Sequence, residues 1–194
     1  KGFERFLQKP LAVDKVRYVG EPIAVVIAEN RYLAEDALAE IIVDIEALPA
    51  VTTLDQAQTG DVLLHDAAGE NVGAAYPVGR GDIEAAFMGA PYTRRERFVT
   101  NRHAACPLET RGLIGECDQP SGVLRLTGAA KVTFFNRRHL ATAFGLEENL
   151  VELIELDVGG AFGARGELYP EDYLVLIAAK RVGKPVKWIE DRRE

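Results

Sequence analysis

The feature that most limits how this chain can fold is the run Gly159–Gly160–Ala161–Phe162–Gly163–Ala164–Arg165, set between a strand-like segment at 150–157 and a helix-like segment from Pro170. Glycines break both regular periods, so the run must be a loop leading from strand to helix. Pro170 suits a first helical position, and Glu171 and Asp172 complement the positive end of the helix dipole. Gly183 ends that helix and Pro185 precedes a last strand at Val186–Ile189. The plain alternative to a binding role is a tight β-to-α turn that needs positive φ. Phe162 argues against it, because a large aromatic inside a glycine run is odd for a mere turn. The glycines let the backbone approach a ligand and offer N–H groups to anionic or oxo oxygens. A nucleotide phosphate loop is the rival reading, but neither G-x-G-x-x-G nor G-x-x-x-x-G-K-[ST] can be laid over the run.

The rest of the chain yields to the same local signals. Residues 22–28 (PIAVVIA) form the continuous apolar run expected of a strand covered on both faces. Asn30 then caps a helix whose Leu33, Ala34, Ala37, Leu38 and Ile41 share one face. Ile42–Ile45 returns to a strand, closed by the turn Leu48–Pro49. Residues 58–91 show no long period and hold at most a short helix at Ile83–Phe87, as a connection would. Strands are expected at 95–100, 112–117 and 123–127, the last two joined by the hairpin turn Asp118–Gly122. A helix over 134–144 places Arg137, Leu140, Ala141 and Phe144 on one side, and Gly145–Leu146 suits a Schellman stop. The helix after Pro170 turns Leu174, Ile177 and Ala178 toward the core. This order predicts an α+β fold in two pieces.

Composition narrows the function. A chain of 194 residues can bury a real core, and its net charge of −7 argues against a nucleic-acid partner, which would need clustered Lys and Arg. No apolar run approaches the roughly 20 residues of a membrane span, and the N-terminus does not resemble a signal peptide. The two cysteines, Cys106 and Cys117, lack CxxC spacing and fit a reducing, cytoplasmic setting better than a disulfide scaffold. His65, His103 and His139 stand isolated, so no protein-ligated metal is expected. The chain opens at Lys1 without a capping or turn signal and halts shortly after a strand, which predicts an excised piece.

Asp157–Val158–Gly159–Gly160–Ala161–Phe162–Gly163–Ala164–Arg165 resembles the G-G-G-F-G-x-[KR] segment of molybdenum hydroxylase large subunits, the family of xanthine dehydrogenase, aldehyde oxidase and aerobic carbon monoxide dehydrogenase. Tyr18–Pro22 with its following strand, and Leu33–Ala37, resemble that family's a/b hammerhead domain. Pro107–Gly112 and Val186–Glu194 resemble the start of its molybdopterin-binding region. The resemblance runs in order over nearly the whole chain. It implies part of a hammerhead domain over 1–75, a connection over 76–91, and the start of a molybdopterin-binding α+β domain over 92–194.

By the same resemblance the chain is a fragment of a molybdenum-cofactor-dependent oxidoreductase, which hydroxylates an aldehyde or N-heterocycle or oxidises carbon monoxide, with water as oxygen source. The cofactor is molybdenum-molybdopterin, molybdopterin cytosine dinucleotide being one form of it. An iron–sulfur small subunit and an FAD medium subunit are the implied partners in a hetero-oligomer. Phe162 and Gly163 would lie against the molybdenum centre, flanked by Gly160 and Ala161. Ala161 departs from the family's third glycine and is tolerated if it keeps negative φ. Lys131 stands where the family presents a glutamine near the metal, a cation in place of an amide. Arg165 either meets a pterin phosphate or caps local carbonyls. Glu167 is a candidate substrate contact, one residue off the family's carboxylate, with a solvated loop glutamate as the alternative. The catalytic base lies outside this chain, so the chain alone is expected to be inactive. The competing class is a non-enzymatic standalone module that binds a partner subunit or delivers cofactor.

Overall fold

The computed structural model describes residues 3–128 and 132–192. In chain order the main elements are α1 (Arg31–Ala39), α2 (Leu54–Thr59), α3 (Ile83–Gly89), β1 (Gly112–Cys117), β2 (Leu124–Gly128), α4 (Thr133–Phe144), β3 (Val151–Glu155), α5 (Pro170–Val182) and β4 (Val186–Ile189). Short 3-10 turns occur at Phe3–Phe6, Asp66–Ala68 and Glu148–Leu150. The chain divides into two compact units, Lys1–Leu7 with Ala47–His103, and Gln8–Glu46 with Ala104–Glu194.

The second unit holds the sheet, ordered β3-β2-β1-β4. β1 runs antiparallel to β2 and to β4, with Gly115 opposite both Leu126 and Val186, while β2 and β3 are parallel with Leu126 opposite Leu153. Residues two apart on a strand share a face, so Leu124 and Leu126 of β2 bury together with Leu113 of β1 and Val151 of β3. Leu140 and Ala141 of α4 and Val175 and Leu176 of α5 complete that core. Leu124, Leu126, Leu140 and Leu176 are fully enclosed, each contributing about 1.5–3 kcal/mol by burial. Gly115 sets the closeness of α5 to the sheet, because a Cβ there would lie 2.5 Å from the Val175 carbonyl oxygen.

The helix ends follow their local signals. Asn30 accepts from the Leu33 N–H at the start of α1. Leu146 N–H donates to Ala141 O and Gly145 N–H to Thr142 O, the two bonds of a Schellman stop to α4. Pro170 opens α5 and Gly183, with φ 66°, closes it. Along α5 it is Val175 and Leu176, with Leu174, Ala178 and Ala179, that bury, whereas Ile177 is exposed. α5 packs against β1, β2 and β4, a wider contact than the single stripe Leu174–Ile177–Ala178 would serve.

Three expected strands do not form. Residues 22–28, 42–45 and 95–100 carry no ladder partner, and Ile23, Val25, Ile27, Val43, Ile45 and Phe98 are exposed, Ile42 at 95%. A strand exists only through cross-strand pairing and burial, so an apolar run without a partner stays outside the sheet.

In the first unit, α3 fits the short helix expected at 83–87, whereas α2 forms in a stretch for which apolar periodicity predicts no element. Thr53 and Gln56 form a reciprocal capping box at its start. Arg5 donates to Ala68 O at 3.1 Å and pairs with Glu70, Phe6 meets His65 edge-on at 5.6 Å, and the Asn71 amide bridges Val62 O and the Leu64 N–H. Ala68 is the one buried residue among the described residues of this unit. Among the described residues no helix is long and apolar enough to cross a membrane.

Candidate functional site

The glycine-rich run is an exposed loop between β3 and α5, as its composition requires. Gly159 N–H donates to Glu109 Oε2 at 2.9 Å. Ala164 N–H then donates to Ala161 O at 2.8 Å, closing a turn whose central residues are Phe162, φ 46°, and Gly163, φ 90°. Two positive φ values mark a type I′ turn, where Asn-Gly is usual. A bulky residue held there costs about 1–2 kcal/mol. Phe162 is nonetheless 79% exposed. Its ring edge rests over Gly160, φ 109°, where an added Cβ would lie 2.9 Å from Phe162 Cε2. Ala161 has no positive φ, so alanine fits there without strain.

Arg165 holds this turn from within. It is only 3% exposed, and its Nε donates to Gly160 O at 2.8 Å. Its Nη2 donates to Glu109 O at 2.8 Å, Thr110 O at 3.2 Å and Glu109 Oε1 at 3.0 Å. Glu109 therefore accepts from both Gly159 and Arg165, joining the segment 107–110 to the loop. Downstream, Asn136 Nδ2 donates to Gly166 O at 3.3 Å, and Tyr169 Oη donates to Ala164 O at 2.7 Å. Tyr169 N–H donates to Asp172 Oδ2 at 2.7 Å, fastening the loop's end to the first turn of α5. Among the described residues, no acceptor meets the amides of Gly160, Ala161, Phe162 or Gly163. The loop thus presents a row of backbone donors beside one open aromatic ring.

A charged cluster lies where α5 meets β1 and β4. Arg111 donates to Glu190 Oε1 from Nε at 3.0 Å and Nη2 at 2.9 Å, and pairs with Glu171 at 3.4 Å. Its guanidinium lies 4.0 Å from the Tyr169 ring centroid and 5.1 Å from that of Trp188. Burial alone would lower the Arg111 pKa, but the Glu190 and Glu171 carboxylates outweigh it and the net direction is upward. Burial pushes the Asp172 carboxyl up to about 6, against the opposing pull of the Tyr169 amide and Arg111.

The structure gathers Gly160, Ala161, Phe162, Gly163 and Arg165 into one turn and leaves Glu167 on it as an exposed loop residue. Of the two roles open to Arg165, capping local carbonyls is the one its contacts display. Lys131 lies outside the described residues. Glu109, Arg111 and Glu190 lie within the stretches that carry the resemblance, yet nothing in their spacing predicts their pairings. Glu109 and Arg165 are 56 positions apart, and no local period links them. Among the described residues, no group of three His, Cys, Asp or Glu side chains is arranged to hold a metal ion, and Cys106 and Cys117 are free thiols. Two open concavities of about 500 and 450 Å³ lie elsewhere on the sheet unit, and no residue of 159–165 lines either.

Comparison with known proteins bears on the same segments. A sequence profile described as the molybdopterin cofactor-binding domain matches residues 64–194, and one described as the aldehyde oxidase and xanthine dehydrogenase a/b hammerhead domain matches residues 2–49. The chain is 39% identical, over all of its length, to subunit gamma of the 6-hydroxypseudooxynicotine dehydrogenase complex of Paenarthrobacter nicotinovorans, covering 24% of that protein. It is 33% identical to the carbon monoxide dehydrogenase large chain of Hydrogenophaga pseudoflava, with 95% of this chain and 25% of that protein aligned. The crystal structure of quinoline 2-oxidoreductase from Pseudomonas putida 86 superposes with a TM-score of 0.88 at 37% identity, covering 96% of this chain and 24% of that one. The chain thus spans about a quarter of the length of these relatives.

Proposed function

Since the chain belongs to the molybdopterin cofactor-binding family that includes the aldehyde oxidases and xanthine dehydrogenases, we propose that its Gly159–Arg165 loop is one wall of the molybdopterin site in a larger oxidoreductase subunit. The observation that carries this reading is Phe162, an exposed aromatic kept in a strained backbone conformation by a buried arginine. Strain that packing does not need points to a ligand-facing role. The donor set fits the group. Backbone N–H groups of Gly160–Gly163 suit oxo, dithiolene-bearing pterin or phosphate acceptors, and the absence of a side chain at Gly163 leaves space within 4 Å of its Cα-borne position.

When bound, the cofactor supplies the two-electron acceptor; the protein's share is to bind, orient and exclude water. Gly160–Gly163 would donate to the cofactor's periphery, Phe162 would border the substrate approach, and Arg165 would hold both in place. Lys131 and Glu167 remain proposed neighbours of the cofactor and substrate. In the complete subunit the reaction is hydroxylation of an activated carbon with water as oxygen source, the base coming from beyond Glu194. An N-heterocycle is the proposed substrate class. Relatives named for nicotine and quinoline share 34% and 37% identity with the chain, against 33% and 30% for those named for carbon monoxide. Aldehydes and carbon monoxide are the alternatives. Electrons would leave through an iron–sulfur small subunit to an FAD medium subunit in a hetero-oligomer, with molybdopterin cytosine dinucleotide as the cofactor form. The two free thiols support a cytoplasmic setting. The domain limits 1–75, 76–91 and 92–194 belong to the same proposal.

The complete subunit, purified with its partners, tests the reading. Molybdenum near one atom per subunit and dye-linked oxidation of quinoline-type substrates are expected. A subunit free of molybdenum, with no oxidation of N-heterocycle, aldehyde or carbon monoxide, would end it.

A further inference from the structure

The loop could adopt its observed course only if something opposed the strain at Phe162, and the contacts identify what does. Glu109 reaches the loop through two acceptor oxygens, Oε2 from Gly159 N–H at 2.9 Å and Oε1 from Arg165 Nη2 at 3.0 Å, while its own carbonyl takes a further bond from the same Nη2 at 2.8 Å. Arg165 in turn fixes Gly160 O, the residue over which the Phe162 ring rests. The chain of contact therefore runs Glu109, Arg165, Gly160, Phe162. Gly159 is part of the fit, since a Cβ there would come within 2.9 Å of Glu109 Cβ and 3.0 Å of Oε2.

We propose that Glu109 is a positioning residue that pre-sets the Gly159–Gly163 turn, and with it Phe162, before the cofactor arrives. This rests on the reading of the loop as a cofactor wall. Glu109 itself need touch neither cofactor nor substrate. Its side chain is half exposed, so its contribution to global stability is small, whereas its two bonds converge on the loop's entry and on the arginine beneath the turn. A charged acceptor makes both bonds stronger than a neutral one would.

The test uses the complete subunit, with Glu109→Ala, Glu109→Gln and, as a control for loss of an exposed paired carboxylate, Glu152→Gln. Three quantities are read: amide hydrogen exchange of the peptide 157–167 in cofactor-free protein, molybdenum per subunit, and the melting temperature. Exchange in that peptide should rise on the order of a hundredfold in Glu109→Ala, which loses two charged hydrogen bonds each worth about a factor of ten, and less in Glu109→Gln, which keeps one acceptor oxygen. Molybdenum content should fall in the same order, melting should shift little, and Glu152→Gln should change none of the three. Should Glu109→Ala fail to fold, Glu109→Gln carries the test alone. Unchanged exchange over 157–167 would overturn the positioning role. Faster exchange with undiminished molybdenum would keep the clamp but overturn the placement of the loop at the cofactor, which separates failure of this inference from failure of the site.

Discussion

A phenyl ring that is 79% exposed and held at φ 46° adds nothing to the core, so its removal should spare the fold. Phe162→Ala is expected to change stability by less than about 1 kcal/mol, and Phe162→Gly to leave it unchanged or raise it by up to about 1 kcal/mol as the strain is released. In the complete subunit, turnover per molybdenum should nevertheless fall by about tenfold or more, because the ring borders the proposed substrate approach. Turnover assays alongside denaturant titration check this. A loss of about 3–5 kcal/mol with normal turnover, the pattern of a buried phenyl group, would make the residue structural. Arg111 is the opposite case. Its fork meets Glu190 twice and its plane lies against Tyr169 and Trp188, neither of which a lysine ammonium reproduces. Arg111→Lys should destabilise by about 2–4 kcal/mol, since it leaves half-buried carboxylates poorly paired. An unaltered denaturation midpoint would refute that account.

At the scale of elements, α5 connects the loop to the core: Tyr169 and Asp172 fasten its first turn, and Leu174, Val175, Leu176, Ala178 and Ala179 anchor it on the sheet. Asp172 is buried while serving as a cap, and burial raises its pKa from 3.8 to about 6. The sign follows directly. Between those two values the folded state holds a proton that the unfolded chain has released, so stability falls as pH rises through the window and is greatest below it. Asp172→Asn keeps an acceptor for the Tyr169 N–H but cannot ionise. Its stability relative to the parent should therefore increase from pH 4 to pH 7 by on the order of 2–3 kcal/mol, and level off above. Urea titrations across that range measure the difference; a pH-independent difference would show that Asp172 does not titrate near 6.

At the scale of the whole molecule, the chain shows much apolar surface along 22–28 and 41–48, including Ile23, Val25, Ile27, Ile42 and Val43, and the two open concavities of the sheet unit lie away from the loop. Together with a span of about a quarter of its relatives, this leads to a prediction for the chain expressed alone. It should bind an apolar fluorescent dye, retain little molybdenum and lack hydroxylase activity, because a site closed by several segments loses its pre-organisation when most are missing. Stoichiometric molybdenum by elemental analysis, with dye-linked oxidation of an N-heterocycle, would contradict it.

The sequence by itself determined the elements whose causes are local. Asn30 as a cap, Pro170 and Gly183 bounding α5, Gly145–Leu146 stopping α4, and the hairpin at Asp118–Gly122 all act within a few residues of the backbone groups they satisfy. The capping box Thr53–Gln56 was equally local and marked a helix that apolar periodicity alone did not reveal. The glycine run likewise dictated a loop after β3. Tertiary structure decided everything that needs a distant partner. It selected which apolar runs became strands, since 112–117 and 124–128 found each other while 22–28 and 95–100 found no ladder. It turned Val175 inward and Ile177 outward, joined Glu109 to Arg165 and Arg111 to Glu190, and set Phe162 at positive φ. The physical reason is that a cap or a breaker is satisfied by its own neighbours, whereas a strand, a buried ion pair or a strained turn persists only when chain from far away supplies the hydrogen bonds and burial that offset its cost.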